Sequence, residues 1–170
     1  MSKLLLPFIL LFLLVGCSTV KKVKFEDYVF QTKKEKDKYI NSYNNSLKLW
    51  GIPYVEENIK TQFGTAHVII AGPKDGKEIV LLHGMDASST MWYPNIKALA
   101  KTHRIYTIDF LMEPGKSTLT AKALTSDEIV IWYNDIFNYY RLKDFFGKDF
   151  CKKDMLVLMT YPRLSTPYLN

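Results

Sequence analysis

Apolar positions along the chain change their period several times, and each change marks an element. Leu4 to Val15 form an apolar run broken only by Pro7. A run of roughly 10–14 apolar residues is too short to span a bilayer and reads as a signal-peptide core. Residues 18–34 are polar and lysine-rich and read as a tether. From Glu35 the period is helical: Tyr39, Tyr43, Leu47 and Trp50 recur at spacings of four, four and three, one face of a helix that Gly51 and Pro53 stop. That aromatic stripe is read as core packing.

Extended patterns follow. Residues 54–63 alternate loosely and 66–71 are rich in β-branched side chains, with Gly64 and Thr65 between them, which predicts a β-hairpin. Residues 72–76, Gly-Pro-Lys-Asp-Gly, form a strong turn. Residues 78–82 are almost wholly apolar, as in a strand buried on both faces. A helix is predicted over 91–101, with Ile96, Leu99 and Ala100 inward, then a second apolar strand over 104–109 and a loop holding Pro114 and Gly115. Thr125 and Glu128 have capping-box spacing, and Ile129, Trp132, Tyr133, Ile136, Phe137 and Tyr140 continue at helical spacing. Residues 155–159 fit one further short strand, while Pro162 and Pro167 argue against more. Strand–helix alternation with apolar strands predicts one α/β domain with parallel strands near 78–82 and 104–109. No internal repeat is present.

Composition adds limits. The net charge is +6, and without residues 1–16 it is +5. Lys21, Lys22 and Lys24 cluster after the leader; they read as a solvated tether, with contact to anionic headgroups as the other reading. No nucleic-acid-binding motif accompanies the charge. The two cysteines are Cys17 and Cys151, and no intramolecular disulfide framework follows from them. His67, His83 and His103 are far apart, without carboxylates or cysteines at ligand spacing, so neither a metal nor another cofactor is expected.

Leu14-Val15-Gly16-Cys17, behind Lys3 and the apolar run, resembles the bacterial lipobox. The resemblance implies that Cys17 is lipidated and becomes the first mature residue. It further implies anchoring through membrane lipid in the cell envelope, outside the cytoplasm. Stable anchoring takes more than one acyl chain, at about 0.8 kcal/mol per buried methylene. The alternatives are an ordinary secretory signal with an incidental cysteine, or a short membrane helix.

Residues 79–92 run from a buried strand into His83-Gly84, then small polar residues, then Met91-Trp92 at a helix. This resembles the oxyanion-hole strand and loop of the α/β-hydrolase fold. Ester hydrolysis builds negative charge on a carbonyl oxygen, and backbone amides aimed at it contribute about 3–4 kcal/mol. By the resemblance, Gly84 allows close approach, the Met85 amide is one donor, and His83 is structural. Residues 105–117 resemble the family's next strand and loop. Asp109, Gly115 and Ser117 match the pattern, and Met112 stands where its first glycine is expected. Asp109 and Ser117 are read as loop-shaping residues, and Ser88 and Ser89 as loop residues without a nearby base.

The family continues into a strand and a Gly-x-Ser-x-Gly nucleophile elbow. Here the sequence reads Gly147-Lys148-Asp149-Phe150-Cys151-Lys152-Lys153. Asp149 as a nucleophile, by likeness to a dehalogenase branch, and Cys151 as a thiol nucleophile are two readings. The favoured third is a reading frame broken near residue 145, because no histidine follows. The expected organisation is a signal peptide (1–16), a lipid-anchored tether (17–34), a partial α/β-hydrolase domain (35–147) truncated before or at the elbow, and an atypical tail (148–170). The expected function is the N-terminal fragment of a lipid-anchored esterase or acyl hydrolase, inactive as written. A small ester or acyl substrate is expected only with an intact active site. The alternative is a non-catalytic surface lipoprotein that binds partners on part of a hydrolase fold.

Overall fold

The computed structural model describes residues 27–120, 123–142 and 156–159. The elements are α1 (Lys33–Leu47), a 3-10 turn (Lys48–Trp50), β1 (Tyr54–Thr61), β2 (Gly64–Ala71) and β3 (Lys77–Leu82). There follow a second 3-10 turn (Ser89–Trp92), α2 (Tyr93–Leu99), β4 (His103–Ile108), β5 (Thr118–Leu119), α3 (Ser126–Tyr139) and β6 (Leu156–Met159). Among the described residues no helix is long and apolar enough to cross a membrane. Residues 1–26, with the leader, Cys17 and the lysine cluster, lie outside them, as do Asp149 and Cys151.

Two capping boxes set the helix starts. At α1 the Thr32 hydroxyl accepts from the Glu35 amide at 3.2 Å, and the Glu35 carboxylate accepts from the Thr32 amide at 3.1 Å. The helix therefore begins two residues before the expected Glu35. The box at Thr125 and Glu128 starts α3 where the spacing predicts. α2 is shorter than the expected 91–101: the chain enters it through a 3-10 turn, and Pro94 lies in its first turn, where a missing amide hydrogen costs nothing.

The sheet runs β1-β2-β4-β3-β6, with β5 beside β2. β2 is antiparallel to both its neighbours, β1 and β4, whereas β4-β3-β6 is parallel. The hairpin is present, but its turn is Gln62-Phe63, because Thr61 pairs with Gly64. Gly64 belongs to β2, and its glycine serves another purpose. A Cβ there would lie 2.0 Å from the Thr118 carbonyl oxygen, where β5 joins the sheet.

Alternation along β3 explains its apolar run. Val80 and Leu82 face a cluster with Ala66, Val68, Ile108 and the α3 side chains Trp132, Ile136 and Phe137. Ile79 and Leu81 face the opposite cluster, with Tyr43 and Leu47 of α1, Trp50, and Trp92 and Ile96 at α2. Helices thus cover both faces, which is why a central strand needs no polar side. Of the expected core stripe, Tyr43, Leu47 and Trp50 are buried, and Tyr39 is partly buried against the same cluster.

α3 offers a direct contrast between its faces. Trp132 is fully buried, whereas Val130 is 41% exposed. Trp132→Ala is expected to lower stability by about 3–5 kcal/mol and Val130→Ala by less than about 0.5 kcal/mol. Urea denaturation midpoints of the two variants measure the difference.

Candidate functional site

The loops that leave β3 and β4 at their C-terminal ends form one bonded unit. His83 follows β3 directly. Its Nδ1 lies 2.9 Å from the Gly84 carbonyl and its Nε2 accepts from the Phe110 amide at 2.9 Å. An N–H at Nδ1 satisfies both contacts, so the ring staples one loop to the other and has no nitrogen left for a proton-transfer role. Asp86, at φ 56°, donates its amide to the Glu113 carboxylate at 3.0 Å. Gly84 and Met85 sit between these two ties, with the Met85 side chain exposed.

Below the loops lies Asp109, fully buried at the end of β4. Its Oδ1 accepts from the Ser89 amide at 2.9 Å. Its Oδ2 accepts from the Tyr43 hydroxyl at 2.8 Å and the Lys116 amide at 2.9 Å, and lies 3.0 Å from His67 Nδ1. Burial by itself raises this carboxyl. The hydrogen bond and charge of His67, with the Lys116 and Ser89 amides, outweigh burial and hold it at about 2. Gly115 makes the approach possible, since a Cβ there would meet the Asp109 side chain at 2.8 Å.

The network runs on through His67 Nε2, 2.9 Å from Glu56 Oε2, which also accepts from the Lys116 ammonium. With hydrogens on both nitrogens, His67 bridges the two carboxylates. Burial raises the Glu56 carboxyl, but the Lys116 and His67 hydrogen bonds bring it below its ordinary value. Burial and the adjacent Asp109 charge push the Tyr43 hydroxyl up, so it stays a donor. Lys116 also lies over the Tyr43 ring, 4.8 Å from its centroid. The Ser117 hydroxyl donates to the Asp109 carbonyl at 2.5 Å and accepts from the His67 amide at 2.8 Å.

Asp109 and Ser117 are therefore loop-shaping residues, and Ser88 bonds to Thr90 at 2.9 Å within its loop. Met112 is not among the residues with positive φ, so a side chain at the family's first-glycine position strains no backbone there. His103 begins β4, far from the loop ends, and its Nδ1 lies 2.8 Å from the Thr102 hydroxyl. Sequence reasoning missed the pairing of His67 with two carboxylates. Among the described residues no group of three or more His, Cys, Asp or Glu is placed to hold a metal.

Register places the end of β6 relative to these loops. β6 pairs in parallel with β3, and Leu82 faces Met159. β6 therefore ends at Met159 level with the end of β3, which leads into His83, Gly84 and Met85. Asp149 and Cys151 precede that strand in chain order. After it the sequence reads Thr160-Tyr161-Pro162-Arg163-Leu164-Ser165, with no glycine.

No protein-family model matches the sequence. Carboxylesterase YbfK of Bacillus subtilis (strain 168) is 38% identical over 101 residues, which are 59% of this chain and 34% of that relative. An uncharacterized carboxylesterase, nap, of the same strain is 40% identical over 101 residues, with the same shares. The crystal structure of carboxylesterase CesB (YbfK) from Bacillus subtilis aligns at TM-score 0.59 and 36% identity, over 62% of this chain and 37% of that one. The chain spans about a third of the length of the curated relatives it matches.

Asp109 makes acid sensitivity testable. A depressed carboxyl contributes stability above the ordinary value of 3.8, and that stability is lost as pH falls from there toward about 2. Asp109→Asn is expected to cost about 3 kcal/mol at neutral pH and to flatten this acid limb. Thermal unfolding followed across pH 7 to pH 2 reads both effects; an unchanged limb would count against Asp109 as its source.

Proposed function

We propose that the chain, whose incomplete α/β-hydrolase fold and carboxylesterase relatives are consistent with a partial member of that family, is the N-terminal part of a lipid-anchored hydrolase of the carboxylesterase type. The observation that carries the reading is the register that ends β6 beside the Gly84-Met85 loop. A turn after β6 would hold its nucleophile next to amides that face the carbonyl oxygen of an ester. Such amides stabilise a transition state only when held in place, and the His83, Asp86 and Ser89 ties hold this loop.

By the same reading residues 1–170 alone do not turn over esters. The segment after β6 has no Gly-x-Ser-x-Gly, and no histidine follows His103 to act as base. Residues 18–170, assayed on short-chain aryl esters, are expected to match a Ser88→Ala/Asp149→Ala control. Turnover above that control would sink the proposal of inactivity.

Cys17 supplies the address in this proposal: acylated, it holds the chain on the outer side of a bacterial membrane. Expression in a bacterium is expected to yield a mature N-terminal peptide whose Cys17 carries the mass of added acyl chains. Cys17→Ser is expected to leave the chain uncleaved and unacylated. An unmodified peptide beginning at another residue would remove the anchor from the reading.

A second reading, a non-catalytic surface lipoprotein, is favoured by one feature. Both sheet faces are already covered by helices within residues 27–142. Cooperative unfolding of residues 18–170 favours this module; aggregation without a transition favours a fragment dependent on further chain.

A further inference from the structure

The charge of this protein is lopsided. Residues 18–48 hold eight lysines against four acidic residues, whereas residues 49–170 hold fourteen basic against thirteen acidic. Nearly all the net positive charge beyond the leader thus lies in the tether and α1. On α1 it is further sorted by face. Tyr43 and Leu47 point inward, and the opposite side carries Lys34, Lys38, Asn41 and Asn45, continued by Lys48 at the C-cap, all exposed. These positions follow helical spacing and form one ridge without an acid.

The acids of α1 flank the ridge and are engaged. Glu35 closes the capping box with Thr32. Asp37 pairs with Lys33 at 2.7 Å, and Asp27, from the preceding segment, pairs with Lys36 at 2.5 Å. Among the described residues Lys34 and Lys38 form no ion pair. Beside the ridge a shallow groove of about 570 Å³ opens between residues 29–31 and α1; Lys38 and Glu35 line it, with the Phe30 and Tyr39 rings 5.2 Å apart. Leu49, 63% exposed, follows Lys48 at the ridge's other end. Lysines with an aromatic floor and a projecting leucine are the combination that suits a headgroup boundary.

We propose that the Lys34-Lys38-Lys48 ridge of α1 docks on an anionic phospholipid surface. The inference goes beyond the anchor proposed above and uses it only for proximity. The ten residues from Cys17 to Asp27 reach at most about 35 Å, so α1 cannot stray far from an anchored lipid. Docking fixes the orientation of the whole domain, because the inner side of α1 is bonded to the site loops: Tyr39 donates to the Pro114 carbonyl at 3.0 Å and Tyr43 to Asp109.

The test uses the full chain extracted from bacterial membranes. It is added to vesicles of phosphatidylcholine, or of phosphatidylcholine with phosphatidylglycerol. Flotation reports membrane binding, and amine-reactive labelling read by mass spectrometry reports the face. In the anionic vesicles Lys34 and Lys38 are expected to label several-fold more slowly than in neutral ones, with Lys60 and Lys74 unchanged. Added salt is expected to erase the difference, and Lys34→Glu/Lys38→Glu/Lys48→Glu to abolish it with an unaltered circular dichroism spectrum. Each lysine removed is expected to weaken any anchor-independent binding about fivefold at low salt. Flotation with both vesicle types and equal labelling overturns the ridge and leaves the anchor standing. Flotation with anionic vesicles only supports the ridge and removes the anchor. Flotation with neither overturns both.

Discussion

A carboxylate buried away from water must be met by donors from every side, and Asp109 is such a group. Its two oxygens gather Tyr43 of α1, His67 of β2, the Ser89 amide behind the β3 loop and the Lys116 amide of its own loop. An isolated buried carboxylate costs several kcal/mol, so these four partners cannot be chosen independently. The docking of α1 and the shape of both loops are solved together at one side chain. Gly115 and Ser117 are part of that solution: one makes room for the carboxylate, the other ties its backbone to β2.

The consequence reaches the loop that follows β3. Gly84 and Met85 bear no charge and make no appeal as catalytic groups. Their value in a hydrolase would lie in amide position, which is set by the His83, Asp86 and Ser89 ties on either side. The two apolar clusters hold the strands at the depth those ties require, and the parallel pairing of β6 with β3 ends both strands at the same edge.

What could be read from the sequence was local. The capping box at Thr125 and Glu128, the apolar run of β3 and the His-Gly loop each need only neighbouring residues, and each is where it was expected. The box at Thr32 and Glu35 carries the same signal and starts α1 two residues ahead of the expected Glu35. The buried network was not legible, because it depends on register. A turn at Gly64-Thr65 would set His67 opposite Gln62; the actual turn sets it opposite Asn58, with Glu56 two residues along on the same face. A two-residue error in one turn was enough to hide the pair. Asp109 and Tyr43 stand 66 residues apart, and no periodicity links them.

That separation also orders events in time. α1 is made early, yet the hydroxyl of Tyr43 has no carboxylate to meet until Asp109 has been synthesised and β4 has entered the sheet. Until then its apolar stripe has neither the sheet nor the hub to cover it, and closing so long a loop is slow compared with forming a helix. The helix at Lys33–Leu47 thus has its full set of partners only once β4 is in place, although it stands near the start of the described chain.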